Sequence, residues 1–317
     1  MQPQPRSPVE LSPAEAIRQG SKSFALASIF LPRSCREAAY QLYQWCRNCD
    51  DAIDEAPDAA AAKARLAELE DCAVTPRHLR APDWVVEWHR AEFIAGLRMD
   101  VENRRYSTLA DLEIYCFRVA GVVGLMMCPL LGADPVHAPP HAAALGTAMQ
   151  LTNIARDIQA DALMGRIYVP AELLPGVEPA SLAVEPERAR AAVNVLLARA
   201  EVLYEDGLRG IAWLPWRVAL AIAAAGKIYQ RIGHKLLRGA EKNPVAAFRQ
   251  RTVVSMPGKL FALSEAVALL VRIKSVHWIG ILTARGVAAD HGHKKTSDRE
   301  PPPGFLDPLR DSGSALK

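Results

Sequence analysis

Apolar residues recur along this chain at the three-to-four-residue spacing of helices, in long stretches rich in Ala, Leu, Arg and Glu, while strand-like alternation is weak. The pattern predicts an all-α protein with helices over about residues 12–29, 33–55, 59–72, 82–101, 108–131, 137–165, 186–209, 215–239 and 258–283. The interruptions are chemically legible. Leu31-Pro32, Ala56-Pro57, Cys128-Pro129, Val169-Pro170 and Leu174-Pro175 each remove a backbone donor and restrict the preceding residue, so a helix ends or bends there. These breaks are too short to be linkers, and no repeat of solenoid period appears. One catalytic domain over about 12–285 is expected, between a flexible N-terminus at 1–11 and a disordered tail at 286–317, where Pro, Gly and polar residues dominate. His291 and His293 fall in that tail and read as filler rather than metal ligands.

Two of the predicted helices carry acid beside apolar surface. In CRNCDDAID, Asp50 and Asp54 stand one turn apart. At about 100° per residue, Tyr43, Arg47, Asp50 and Asp54 share a strip roughly 60° wide, flanked by Leu42, Cys49 and Ile53. In QLTNIARDIQAD, Gln150, Asn153, Asp157 and Asp161 fall in a strip of about 80° by the same arithmetic, with Leu151, Ile154, Ala155 and Ile158 alongside. A lone D-x-x-x-D is most often a solvated face, but two matched stripes bordering grease suit the walls of a cavity. Facing carboxylates repel by several kcal/mol at about 4 Å, even at an effective dielectric near 20, unless cations join them. Magnesium fits such sparse acids, because it takes one or two carboxylates and fills its shell with water and substrate phosphate oxygens. Neutralising a diphosphate turns it into a leaving group, and a water-poor apolar wall lets an allylic cation react before it is quenched.

Composition narrows the setting. The chain has 317 residues, half of them apolar, enough for a sizeable core. Its net charge of +3 is too mild to imply nucleic acid. The six cysteines are scattered, which favours free thiols and a cytoplasmic setting. Cys46-x-x-Cys49 lacks a second Cys or His pair at ligand spacing and reads as packed thiols. No signal peptide and no run of about 18 apolar residues is expected; a peripheral contact with the inner membrane stays open.

SKSFALASIFLP, LYQWCRNCDDAIDE, YCFRVAGVVGLMM and QLTNIARDIQADALMGRIYVP resemble, in order and spacing, the signature segments of squalene and phytoene synthases, most closely the bacterial phytoene synthases. The resemblance covers about residues 20–265 and implies a single-domain isoprenoid-synthase helical bundle with a central cavity. It places the metal-facing acids of the first motif at Asp50 and Asp54, with Asp51 beside them. Those of the second fall at Asp157 and Asp161, with Asn153 next to the metal. Ser21, Ser23, Arg47 and Arg156 match positions that contact diphosphate, and hydroxyls and guanidinium forks suit phosphate oxygens. Arg251 and Lys259 are weaker matches, within a stretch from Lys227 to Lys259 where eight Lys or Arg face only Glu241. Such a stretch also suits anionic lipid or a solvated basic face. Phe24, Tyr43 and Tyr115 match aromatic positions lining the cavity, where a ring face stabilises a nearby cation by about 0.5–2 kcal/mol. Ala120 to Gly124 matches a helix whose small residues leave room for prenyl chains.

The implied reaction is a magnesium-dependent head-to-head condensation of two geranylgeranyl diphosphates to phytoene, with manganese as the alternative ion. Reduction by NADPH is not expected, since no dinucleotide motif appears. The alternative within the fold uses farnesyl diphosphate and gives dehydrosqualene or presqualene diphosphate. A non-catalytic assembly relative is disfavoured by the four retained aspartates. The insolubility of the product suggests work at a membrane surface and delivery to a downstream desaturase. Two departures from the family pattern stand out. Ala160 occupies a position where many relatives carry an acid, and only Phe248 lies where relatives place a tyrosine before the arginine matching Arg251.

Overall fold

The computed structural model describes residues 12–71 and 73–290. The expected flexible N-terminus, Cys72, His291, His293 and the tail beyond Asp290 lie outside the described residues. The chain divides into two compact units, Met1–Ser275 and Val276–Lys317, and the acid stripes, aromatics and cavity all belong to the first. Among the described residues the regular structure is entirely helical.

The helices are α1 (Pro13–Gly20), α2 (Lys22–Ala27), α3 (Arg33–Asp54), α4 (Ala59–Glu70), α5 (Glu87–Val101), α6 (Leu109–Cys116), α7 (Val122–Leu130), α8 (Ala138–Arg156), α9 (Ile158–Leu163), α10 (Pro179–Val184), α11 (Arg190–Arg209), α12 (Trp216–Lys242), α13 (Pro244–Arg249) and α14 (Met256–Asp290). The long elements follow the predicted stretches, and their starts are chemically marked. Ser12 and Glu15 form a capping box at α1, Thr108 and Asp111 another at α6, and Asp58 caps α4.

Three expected long helices are interrupted. The stretch 12–29 breaks at Ser21, whose extended backbone (φ −148°, ψ 101°) lets its hydroxyl cap α2 by accepting from the Phe24 amide. The stretch 108–131 contains a π-helical turn at Phe117–Gly121, a local underwinding that shifts the phase of the following side chains. The stretch 137–165 is kinked at Asp157 (φ −101°, ψ 18°), between α8 and α9. The start expected at 82 moves to Glu87. At the other end α14 runs to Asp290, past the Gly286 at which the tail was expected to begin.

α8 is the structural axis. Leu145, Ala148, Leu151, Ile154 and Ala155 are buried in the main core, and α7, α11 and α12 all pack against this helix. Glycines permit the close approach: a Cβ on Gly124 would fall 2.4 Å from the Ala142 carbonyl oxygen, and one on Gly146 2.3 Å from that of Ala120. A second cluster joins Leu42, Trp45, Cys49 and Ile53 of α3 to α4, α5 and α7. A third joins Leu31, Cys35 and Ala39 to Leu131, Val218 and Ala221. Cys46 and Cys49 are free thiols, Cys49 fully buried.

Contrary to the expectation that nothing would match a membrane span, Leu109–Leu130 is long and apolar enough by composition to cross a bilayer. Here it packs against α5 and α8, and Val119, Ala120, Val123 and Gly124 line the cavity.

Candidate active site

The first acid stripe occupies the C-terminal turns of α3. Arg47 reaches down it, pairing with Asp51 at 2.5 Å and Asp50 at 3.3 Å. Burial, then the neighbouring Asp54 charge, push the Asp50 carboxyl up to about 7. Water still reaches Asp50, 41 % of whose side chain is exposed. Asp54 does not stay within its own helix: its Oδ1 accepts from Arg166, in the turn after α9, at 2.8 Å.

The second stripe straddles the kink. Asp157 accepts a fork from its neighbour Arg156, at 2.9 and 2.5 Å, and a longer contact of 3.3 Å from Arg251. One turn on, burial and then the Asp157 charge push the Asp161 carboxyl up to about 8. Gln150 and Asn153 line the cavity on the same strip, the Asn153 amide donating to Gln150 at 3.2 Å.

A third acid, Asp100, joins the two stripes, and the sequence reading missed it. The Asp100 charge bears on both Asp50 and Asp161, and Asp54 bears on Asp100, so carboxylates from α3, α5 and α9 converge. Burial pushes the Asp100 carboxyl up to about 6 despite donation from two tyrosine hydroxyls, Tyr168 at 2.7 Å and Tyr115 at 3.0 Å. A signal existed. Asp100 continues the stripe Phe93, Gly96 and Leu97, all buried, so it is an acid at the core-facing positions of a helix. Arg166 and Tyr168 were also missed, although both lie in a segment already singled out.

Below the acids lies a cavity of about 340 Å³. Its polar end carries Asn153, Gln150, Tyr43 and Tyr229, while Leu131, Ile211, Leu214, Ala221 and Ile222 line the rest. Phe24 lies 6.4 Å from Tyr43 and 5.3 Å from Tyr229, centroid to centroid, so three rings wall the cavity beside the acids. Tyr229 belongs to this group and was not foreseen. Tyr115 does not: it is only 4 % exposed and stacks under Asp100 against Tyr168 at 5.1 Å, which corrects its expected place on the cavity wall. Ser21 is committed to capping α2 and to the Tyr229 hydroxyl. Ser23 lies in the first turn of α2.

Much of the basic stretch after Lys227 has internal partners. Arg231 pairs with Glu265 at 3.0 Å and covers the Phe261 ring, Lys235 and Arg249 donate to the Val253 and Val184 carbonyls, and Lys259 is buried. Ala160 is exposed, and Phe248 is buried in the core.

The donor set fits a hard divalent cation. Asn153 Oδ1 is buried with no hydrogen-bond donor, and the surrounding ligands are oxygens. Among the described residues no three acid, His or Cys side chains converge as a complete metal cage.

The squalene/phytoene synthase family model matches residues 17–257. The 15-cis-phytoene synthase of Enterobacter agglomerans is 38% identical over 274 residues, 78% of this chain and 91% of that protein. The 15-cis-phytoene synthase of Paracoccus sp. (strain N81106 / MBIC 01143) is 38% identical over 279 residues, 80% of this chain and 89% of that protein. Among solved structures, a dehydrosqualene synthase in complex with ligand superposes with a TM-score of 0.66 at 30% identity, covering 81% of this chain and 95% of that one. Squalene synthase HpnC from Alicyclobacillus acidocaldarius gives 0.59 at 28% identity, covering 75% and 97%. With two acid helices closing over an apolar chamber and these likenesses along most of its length, the chain belongs to the squalene/phytoene synthase family, a family of metal-dependent prenyltransferases.

Proposed function

We propose that this protein is a phytoene synthase, joining two geranylgeranyl diphosphates head to head through prephytoene diphosphate, with magnesium as its ion and manganese as a substitute. The observation that carries the reading is the convergence of Asp50, Asp54, Asp100 and Asp161 beside a deep apolar cavity. When bound, the divalent ion neutralises the diphosphate and makes it a leaving group. Asp50, Asp54, Asn153, Asp157 and Asp161 are the residues that would hold it.

The protein's own groups supply the rest. Arg47, Arg156 and Arg251 bring guanidinium forks to the mouth, where they can share phosphate oxygens. The aliphatic wall from Leu131 to Ile222 takes the prenyl chain and keeps water from the reacting carbons. Tyr43, Phe24 and Tyr229 line the cavity, and a ring face turned to an allylic cation there would be worth about 0.5–2 kcal/mol to it. Tyr115 and Tyr168 hold the Asp100 carboxyl in place between the stripes.

The likeness to a dehydrosqualene synthase structure supports a second reading with farnesyl diphosphate. Incubation with magnesium and each prenyl diphosphate, followed by hydrocarbon analysis, separates them. A forty-carbon product is expected from geranylgeranyl diphosphate; turnover of farnesyl diphosphate alone would reject the phytoene assignment. The same reading places the protein in the cytoplasm, supported by its buried free thiols. We further place it at the inner membrane surface with a desaturase accepting the product, because a forty-carbon hydrocarbon needs an apolar acceptor.

A further inference from the structure

Arg166 stands at the centre of the acids. Its guanidinium pairs with Asp54 of α3 at 2.8 Å and is 19 % exposed. Its charge also bears on Asp100 of α5 and Asp161 of α9. One cation thus pairs with one carboxylate and lies within electrostatic reach of two more from other helices, all of them groups that a divalent cation would also attract. Its backbone is fixed: Gly165, at φ +77°, turns the chain, and the Arg166 amide donates to the Asp161 carbonyl at 2.9 Å. The side chain is the part free to change partner. Arg156 and Arg251 on Asp157, and Arg47 on Asp50, repeat the arrangement at the rim.

We infer that Arg166 is an exchangeable counter-ion: it holds Asp54 until a divalent cation takes that carboxylate, and then turns to the diphosphate that arrives with the cation. This rests on the metal–diphosphate reading of the site. A cation arriving alone must displace a guanidinium that gains nothing in return. With a diphosphate present, the released fork finds phosphate oxygens of equal geometry. Metal and diphosphate therefore bind with positive coupling, and the apoenzyme is guarded against loading with metal and no substrate. Coupling of this kind is reciprocal and typically worth 5–150-fold in affinity.

Isothermal titration with magnesium alone, inorganic pyrophosphate alone, and pyrophosphate at saturating magnesium tests the inference on wild type, Arg166→Gln and Arg166→Lys. Arg166→Gln should bind magnesium alone about fivefold more tightly and pyrophosphate with magnesium at least about fivefold more weakly, with Arg166→Lys keeping most of the coupling. The opposite signs matter, because a merely structural loss weakens both. Asp54→Asn supplies a second route: it frees Arg166, so pyrophosphate alone should bind more tightly than to wild type. Weakened magnesium binding in Arg166→Gln, or an unchanged coupling factor, overturns the role of Arg166. Failure of the wild type to bind pyrophosphate at any magnesium concentration overturns the reading beneath it.

Discussion

The Tyr168 hydroxyl donates to Asp100 at 2.7 Å while Tyr115, stacked beside it, donates to both oxygens of the same carboxylate at 3.0 Å. Two phenols thus hold a half-buried acid whose charge bears on both aspartate stripes. Tyr168→Phe should cost about 0.5–1.5 kcal/mol of stability for the lost hydrogen bond. It should also lower turnover about 10–100-fold, the usual effect of removing an outer support from a metal-site carboxylate. Thermal melts and steady-state kinetics at saturating magnesium check both; a stable variant with full activity would remove Asp100 from the site.

Asp161→Asn and Asp50→Asn should each lower turnover at least about 10²-fold, by analogy with the loss of one electrostatic stabiliser of a transition state. Neither should lower the melting temperature of the metal-free protein. Each acid is crowded by burial and a like-charged neighbour, Asp161 by Asp157 and Asp50 by Asp54, so neutralising it relieves repulsion. A lower melting temperature without metal would contradict this account.

The same crowding fixes a pH dependence. Folded-state values near 8 for Asp161, 7 for Asp50 and 6 for Asp100 lie above the ordinary carboxylate value. The folded metal-free protein therefore binds more protons than the unfolded chain between about pH 4 and 8, and stability falls as pH rises through that window. Melting curves from pH 5 to 8.5 should show the decline, and Asp161→Asn should flatten it near pH 8. Magnesium with pyrophosphate should expel the protons. Calorimetry in two buffers of different ionisation enthalpy measures that release at pH 7, and zero release would refute the raised values.

Ala221 lies in the apolar part of the cavity among Leu131, Leu214 and Ile222. Ala221→Phe should shorten the chamber and lower kcat/KM for geranylgeranyl diphosphate about 10-fold or more relative to farnesyl diphosphate, the scale on which apolar pockets read chain length. An unchanged ratio would mean that the prenyl chain lies elsewhere.

Period and punctuation made most of the helices legible, since an apolar face every three to four residues must be buried whatever it packs against. They also exposed both aspartate stripes, because an acid beside grease on one helix is visible within a single turn. Three breaks escaped for a shared reason. Ser21, the π turn at Phe117–Gly121 and the kink at Asp157 keep helical composition on both sides, and packing against neighbouring helices selects the local departure.

What the chain by itself determined is therefore periodic or adjacent: an all-α body, Asp50 with Asp54, and Asp157 with Asp161. What only the tertiary structure decided is convergence across long separations. Asp54 meets Arg166, Asp100 meets Tyr115 and Tyr168, and Phe24 meets Tyr229. Tyr115 moves from cavity wall to carboxylate support by the same rule. Helical spacing reports which side chains share a face, but the burial and charge that set each side chain's role come from elements many residues away.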